Sequence, residues 1–110
     1  FLNFNGVDYP KKLNNSVHAR HIFTIWVSSS QRDNILTKLQ ESGIGVAVNF
    51  RSIHLLSYYK NTYGYKFGDY PIAENIGNST ITIPMYPKLK PIEINYVIEE
   101  VKKAVTQCIN

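Results

Sequence analysis

The sequence has few of the residues from which covalent and metal-based sites are built. Its 110 residues include one cysteine, Cys108, which excludes an internal disulfide and a cysteine metal cluster. The three histidines lack the close spacing of metal ligands, so we expect no metal site. No apolar run approaches the ~20 residues of a membrane span, and no glycine-rich phosphate loop is present. We expect a protein of the reducing cytoplasm that binds neither a metal nor a membrane.

The charge balance is only mildly basic. Twelve basic and eight acidic residues give a net charge of +4 at pH 7. This excess favours an anionic partner without naming one. The chain begins with Phe1, and residues 1–21 have neither the basic start nor the apolar core of a signal peptide. We interpret the sequence as part of a longer polypeptide.

Apolar periodicity and turn residues predict an irregular lead-in over residues 1–17 and a folded domain over 18–110. The apolar positions of the last segment, from Ile94 to Val105, recur at helical spacing. The predicted elements are a strand at 21–27, a helix with a Ser30/Asp33 capping box that stops at Gly43, a strand at 44–50, short helices at 54–63 and 71–78, a strand from 80 to Pro84, and a helix after Pro91. This order predicts an α+β two-layer sandwich, with a small, mostly antiparallel sheet packed by helices.

Three polar residues, Asn49, Arg51 and His54, stand where the second predicted strand ends. Polar residues are normal wherever a strand reaches the surface, so one interpretation is purely structural. Binding groups also gather where a rigid strand passes into a loop, and an arginine offers a planar fork to phosphate or carboxylate. A guanidinium, an amide and an imidazole together suit a phosphorylated or hydroxyl-rich ligand. The pattern alone leaves both interpretations open.

The stretches "GIGVAVNFRSIHLLSYY", "GDYPIAE" and "IPMYP", followed by the closing helix, form a specific combination. Over about residues 18–105 the sequence resembles the C-terminal small domain of the DegT/DnrJ/EryC1/StrS family of sugar aminotransferases. The resemblance implies a homodimeric, fold type I enzyme that uses pyridoxal phosphate. Such an enzyme moves an amino group, commonly from glutamate with release of 2-oxoglutarate, onto a nucleotide-linked keto sugar in polysaccharide or aminosugar biosynthesis.

The resemblance also implies that the lysine holding the cofactor lies in a large domain outside this chain. The chain would then contain no catalytic residue, would be inactive alone and would form a wall of the substrate site. The implied substrate-binding residues are Asn49, Phe50, Arg51 and His54. Asn49 and Phe50 stand where the family often has His-Tyr, Arg51 replaces a frequent proline, and His54 matches the family's second histidine.

Two alternatives remain at this point. The same family includes cofactor-dependent sugar dehydratases, which this region does not distinguish from aminotransferases. A basic α+β chain also fits a stand-alone ferredoxin-like module for RNA or a small ligand. The resemblance favours the aminotransferase, for which we expect no nucleic-acid partner.

Overall fold

Two short antiparallel strands form the centre of the structure, a computed structural model that describes residues 3–109. Strand β1 (Phe23–Trp26) pairs with β2 (Thr80–Ile83), with Ile25 opposite Ile81. Asp8 extends the pairing beyond β1 by bonding to Trp26, and Ala47 extends it beyond β2 by bonding to Thr82, both in the antiparallel sense. The predicted small antiparallel sheet is confirmed.

The helices follow the predicted order. They are α1 (Arg32–Glu41), a 3-10 helix (Ile53–Leu55), α2 (Ser57–Tyr63), α3 (Pro71–Ser79) and α4 (Pro91–Ile109). Gly64 ends α2 in the left-handed conformation, with φ of 72°, and Pro71 takes the first position of α3, where its missing N–H is not needed. The α+β fold class is therefore confirmed.

The core lies between the sheet and the pair formed by α1 and α4. Ile25 and Ile81 are fully buried on the sheet, and Leu39 of α1 and Val101 of α4 are fully buried against them. Burial of such aliphatic side chains stabilises a fold by ~1.5–3 kcal/mol each. Val7, within the expected lead-in, is also buried in this core.

The predicted strand at 44–50 is wrong, because only Ala47 pairs with β2. In an antiparallel ladder, the next hydrogen-bonded positions of β2 would be Thr80 and residue 84. Residue 84 is a proline and has no N–H to donate. At the other end, the Thr80 N–H donates to the carbonyl of Ile76 and the Thr80 carbonyl accepts from Arg32. Both positions are unavailable, so the ladder stops after one residue pair.

The predicted capping box at the start of α1 is also wrong. The N-cap residue is Gln31, whose side chain makes no capping hydrogen bond. The Ser30 hydroxyl lies 2.9 Å from that of Ser28, and the Asp33 carboxylate accepts a hydrogen bond from Nε of Arg32 over 2.7 Å. Both members of the expected box are therefore engaged elsewhere.

Candidate functional site

The loop over residues 49–56 lies directly on one face of α3. The Ser52 hydroxyl donates a hydrogen bond to the carbonyl of Ala73 over 2.8 Å. One turn further along, a Cβ atom placed on Gly77 would lie 2.6 Å from the Ser52 hydroxyl oxygen and 2.8 Å from the Ser52 backbone nitrogen. Glycine at position 77 therefore allows the loop backbone to touch the helix.

A buried pair between His54 and Glu74 completes this contact. Nε2 of His54 lies 2.8 Å from Oε1 of Glu74, and the two side chains are only 7% and 5% exposed. The same carboxylate oxygen accepts hydrogen bonds from the backbone N–H groups of Gly68 at 2.8 Å and Tyr70 at 3.3 Å. One oxygen atom thus joins the 3-10 helix, the turn before α3 and the first turn of α3.

The hydrogen bonds to Glu74 decide its charge state. Burial alone would raise the pKa of this carboxyl group, because burial disfavours the charged form. The hydrogen bond from His54 and those from Gly68 and Tyr70 favour the carboxylate, and together they hold the pKa of Glu74 below its ordinary value. The group is therefore a carboxylate near neutral pH.

An open groove of about 850 Å³ lies between the 49–56 loop and the aromatic side chains that follow it. Of the four predicted site residues, Phe50, Arg51 and His54 line this groove, whereas Asn49 is half-buried and is not among the lining residues. Phe50 and Arg51 are exposed, while His54 is buried with Nε2 turned to Glu74. The structure therefore brings a cation and an aromatic ring to the groove and assigns the imidazole to its supporting wall.

Three tyrosine side chains, those of Tyr59, Tyr65 and Tyr70, also line the groove. Tyr70 packs edge-to-face on His54 with ring centres 4.9 Å apart, and Tyr65 contacts Tyr70 at 5.8 Å. The series continues through Tyr63 to Tyr59, whose rings are stacked at 6.2 Å. Edge-to-face and offset contacts of this kind each contribute ~0.5–1.5 kcal/mol beyond burial. The aromatic series stabilises the part of the groove that these tyrosines line.

The surface around the groove exposes large apolar side chains. Among the residues that line the groove, Phe50 is 69% exposed and Ile53 is 60% exposed, while Leu56 and Ile76 are 43% and 41% exposed. Contiguous apolar surface of this kind marks an interaction site in soluble proteins. The groove therefore has the character of a surface that another protein surface or a ligand covers.

A second concavity, of about 500 Å³, lies beside β1 and is basic. Its basic residues are all exposed, and they are Lys11, Lys12, His18, Arg20 and His21. The backbone N–H of Arg20 donates to Nδ1 of His18 over 2.9 Å. No buried polar side chain supports this surface among its described lining residues, in contrast to the groove at Glu74. The groove at Glu74 is therefore the stronger candidate for a binding site.

None of the nine lysines, all within the described range 3–109, is buried. Lys38 and Lys102 are half-buried and the others are exposed. A lysine that bonds covalently to a carbonyl cofactor is usually a sheltered amine with a lowered pKa. The residues described here therefore do not fit a site for covalent attachment of pyridoxal phosphate.

Between positions 3 and 109, no three His, Cys, Asp or Glu side chains converge in a way that would hold a metal ion. No helix in this part of the chain is both long and apolar enough to cross a bilayer.

Comparison with known proteins identifies the family. Residues 3–102 match the DegT/DnrJ/EryC1/StrS aminotransferase family, and the chain belongs to it. The chain is 31% identical over 110 residues to the spore coat polysaccharide biosynthesis protein SpsC of Bacillus subtilis, covering 96% of this chain and 28% of that protein. It is 24% identical to the UDP-4-amino-4-deoxy-L-arabinose–oxoglutarate aminotransferase of Shewanella sediminis, over 80% of this chain and 25% of that protein.

A solved structure shows the same fold. The chain superposes on Spr1654 of Streptococcus pneumoniae, described as a candidate sugar aminotransferase in its PLP form, with a TM-score of 0.86 and 27% identity. The match covers 94% of this chain and 27% of Spr1654. The chain thus spans less than a third of the length of each of these proteins, and its architecture is that of one domain within fold type I aminotransferases.

The sequence patterns did not point to Glu74, Ser52 or Gly77. Glu74 has one local signal, since it stands in the first turn of a helix opened by Pro71, where a carboxylate reaches back to free N–H groups. Its contact with His54 spans 20 residues along the chain. The spacing of apolar residues within a single helix or strand cannot predict a contact between residues so far apart in the sequence.

Proposed function

We propose that the full-length protein carrying this chain is a pyridoxal-phosphate-dependent sugar aminotransferase. It would transfer the amino group of glutamate to a nucleotide-linked keto sugar, with release of 2-oxoglutarate, in polysaccharide or aminosugar biosynthesis. Family membership supports the aminotransferase class, and the names of the Bacillus and Shewanella relatives support the sugar substrate and the oxoglutarate partner.

The chain's own role is to form one wall of the sugar-nucleotide site. The observation that carries this proposal is the exposure of Arg51 and Phe50 at the mouth of the groove, on a loop that is fixed to α3 from beneath. The guanidinium of Arg51 offers a planar fork to the diphosphate of a nucleotide sugar or to a carboxylate. The exposed ring of Phe50 offers an apolar face to a sugar or base. Asn49 stands next to them and would orient a hydroxyl group.

The cofactor would be held by polypeptide outside this chain. Pyridoxal phosphate supplies an electron sink for amino-group chemistry when it is bound. The 3–109 region provides no buried lysine to hold it, so the chain alone would be inactive. The exposed apolar side chains at the groove, including Ile53 and Leu56, fit a surface that the large domain or the second subunit of a homodimer covers in the full-length enzyme.

The direct experiment is an assay of the purified full-length protein with glutamate and a nucleotide-linked keto sugar, read by mass spectrometry. Amination replaces the carbonyl oxygen of the sugar with an amine and yields one 2-oxoglutarate for each product molecule. Loss of water from the sugar without amine incorporation would instead identify a dehydratase. Absence of both products over a panel of nucleotide-linked keto sugars would overturn the proposal.

The isolated chain provides a second test. After incubation with pyridoxal phosphate and reduction with borohydride, we expect no single lysine of this chain to carry the cofactor in stoichiometric amount. A stoichiometric adduct on one lysine would contradict the assignment of the cofactor to polypeptide outside the chain. Salt-dependent binding of the chain to random RNA would favour the stand-alone module instead.

A further inference from the structure

The hydrogen bonds of Glu74 connect it to the groove although its side chain is buried beneath the surface. Through Oε1 it holds His54, which belongs to the 3-10 helix that follows Arg51 by two residues. The same atom accepts hydrogen bonds from the backbone of Gly68 and Tyr70, and Tyr70 also lines the groove. A single carboxylate oxygen therefore connects two groove-lining residues, His54 of the 49–56 loop and Tyr70 at the start of α3.

The remaining contacts of the 49–56 loop repeat this connection along α3. Ser52 bonds to the carbonyl of Ala73, His54 bonds to Glu74, and the backbone around Ser52 rests on Gly77. Positions 73, 74 and 77 lie on one helical face because residues three and four apart are neighbours on a helix. Arg51 projects from a loop that has three supports on the same helix.

Resting on the function proposed above, we infer that Glu74 is a positioning residue, which through His54 fixes the 49–56 loop and so presents Arg51 and Phe50 to the sugar nucleotide. Glu74 does not touch the substrate, because its carboxylate is buried and directed at His54, Gly68 and Tyr70. The chemistry of amino transfer lies outside this chain. Loss of Glu74 should therefore weaken sugar-nucleotide binding and leave the half-reaction with glutamate intact.

The test uses the full-length protein with the substitutions Glu74→Ala, Glu74→Gln and Ser52→Ala. Glutamine keeps an acceptor oxygen without the charge, whereas alanine leaves three donors unsatisfied. We expect the KM for the nucleotide sugar to rise about tenfold in Glu74→Ala and about threefold in Glu74→Gln and Ser52→Ala. The kcat and the rate of the glutamate half-reaction should stay within about twofold of the wild type. An unchanged sugar KM in all three variants would overturn the inference, as would a fall in kcat that parallels the rise in KM.

Hydrogen–deuterium exchange of the same proteins gives a readout that does not depend on activity. We expect faster exchange over residues 49–56 and 66–70 in Glu74→Ala, with exchange in α4 unchanged. If the wild type proves inactive on sugars, the proposed function fails while the exchange result still decides the positioning role. Should Glu74→Ala not fold, Glu74→Gln decides, because it removes the charge but keeps an acceptor oxygen for the donors of His54, Gly68 and Tyr70. Wild-type exchange over 49–56 in every folded variant would contradict the role of Glu74.

Discussion

Arg32 and Thr80 are joined by a hydrogen bond from Nη1 of Arg32 to the Thr80 carbonyl, 3.3 Å long and buried. The same nitrogen donates to the carbonyl of Gly77, also at 3.3 Å. Arg32 thus ties the start of α1 to the junction between α3 and β2. Because α3 carries the 49–56 loop, this buried arginine connects the core to the support of the groove.

Replacing Arg32 should destabilise the chain. Arg32→Met keeps most of the apolar stem and removes the nitrogen that donates to both carbonyls, so two buried carbonyl groups lose a partner. We expect a loss of about 1–3 kcal/mol in the free energy of unfolding, measured by urea denaturation. The control is Lys38→Met, which removes a half-buried cation from the same helix. It should change the stability by less than about 0.5 kcal/mol. Equal effects of the two substitutions would show that the contacts of Arg32 with α3 contribute nothing.

Adding a methyl group at Gly77 should also destabilise the chain, although alanine is the better helix former. Relief of glycine's helix penalty would contribute ~1 kcal/mol. The new Cβ would lie 2.8 Å from the Ser52 nitrogen and 3.3 Å from the Arg51 carbonyl carbon, so backbone must move. Overpacking of this kind costs ~1–3 kcal/mol. We expect Gly77→Ala to lose about 1 kcal/mol in urea denaturation.

Gly45→Ala is the matched control, because a Cβ at Gly45 would meet no atom within 4 Å. It should leave the stability unchanged or slightly raised. A gain in stability for Gly77→Ala would show that the loop does not rest on α3 as described.

Stability should fall with acid through Glu74 and Glu100. The hydrogen bond from Ser42 lowers the pKa of Glu100 against the opposing effect of burial, and the hydrogen bonds to Glu74 lower its pKa in the same way. A carboxyl group whose folded pKa lies below its unfolded value stabilises the fold above the unfolded pKa. That contribution disappears as the pH falls through the folded pKa.

The free energy of unfolding should therefore decrease from about pH 6 to about pH 3. Glu74→Gln, which cannot titrate, should show a shallower decrease over the same interval. Urea denaturation at several pH values measures both curves. Parallel curves for the wild type and Glu74→Gln would mean that the carboxylate is not favoured in the folded chain.

Local patterns predicted the elements whose ends are set by nearby residues. Gly64 ends α2 and Pro71 opens α3 because the conformations of glycine and proline are intrinsic to those residues. The apolar spacing of α4 predicted one apolar face of Ile94, Val97, Ile98, Val101 and Val105. Val97, Val101 and Val105 are buried in the core, whereas Ile98 is half-buried and Ile94 is 42% exposed. In each case the physical cause lies within a few residues of its effect.

The predicted strand at 44–50 failed because its pairing depends on distant neighbours. The alternation around Ala47 is typical of a strand. Whether that strand pairs depends on which backbone groups of β2 and its continuation are free to form hydrogen bonds. Pro84 has no N–H, and the Thr80 carbonyl already accepts from Arg32. At the groove, the pattern identified His54 as polar and near a loop. Its buried partner, Glu74, comes from another helix and could be found only in the folded chain.

The most direct test of the account is the kinetics of Arg51→Ala in the full-length protein. If Arg51 contacts the nucleotide sugar, the KM for that substrate should rise about tenfold, equivalent to ~1.4 kcal/mol, while the KM for glutamate stays the same. Arg20→Ala, which removes an exposed arginine outside the groove, should leave both values unchanged. An unchanged KM for the nucleotide sugar in Arg51→Ala would contradict the claim that this loop forms the substrate wall.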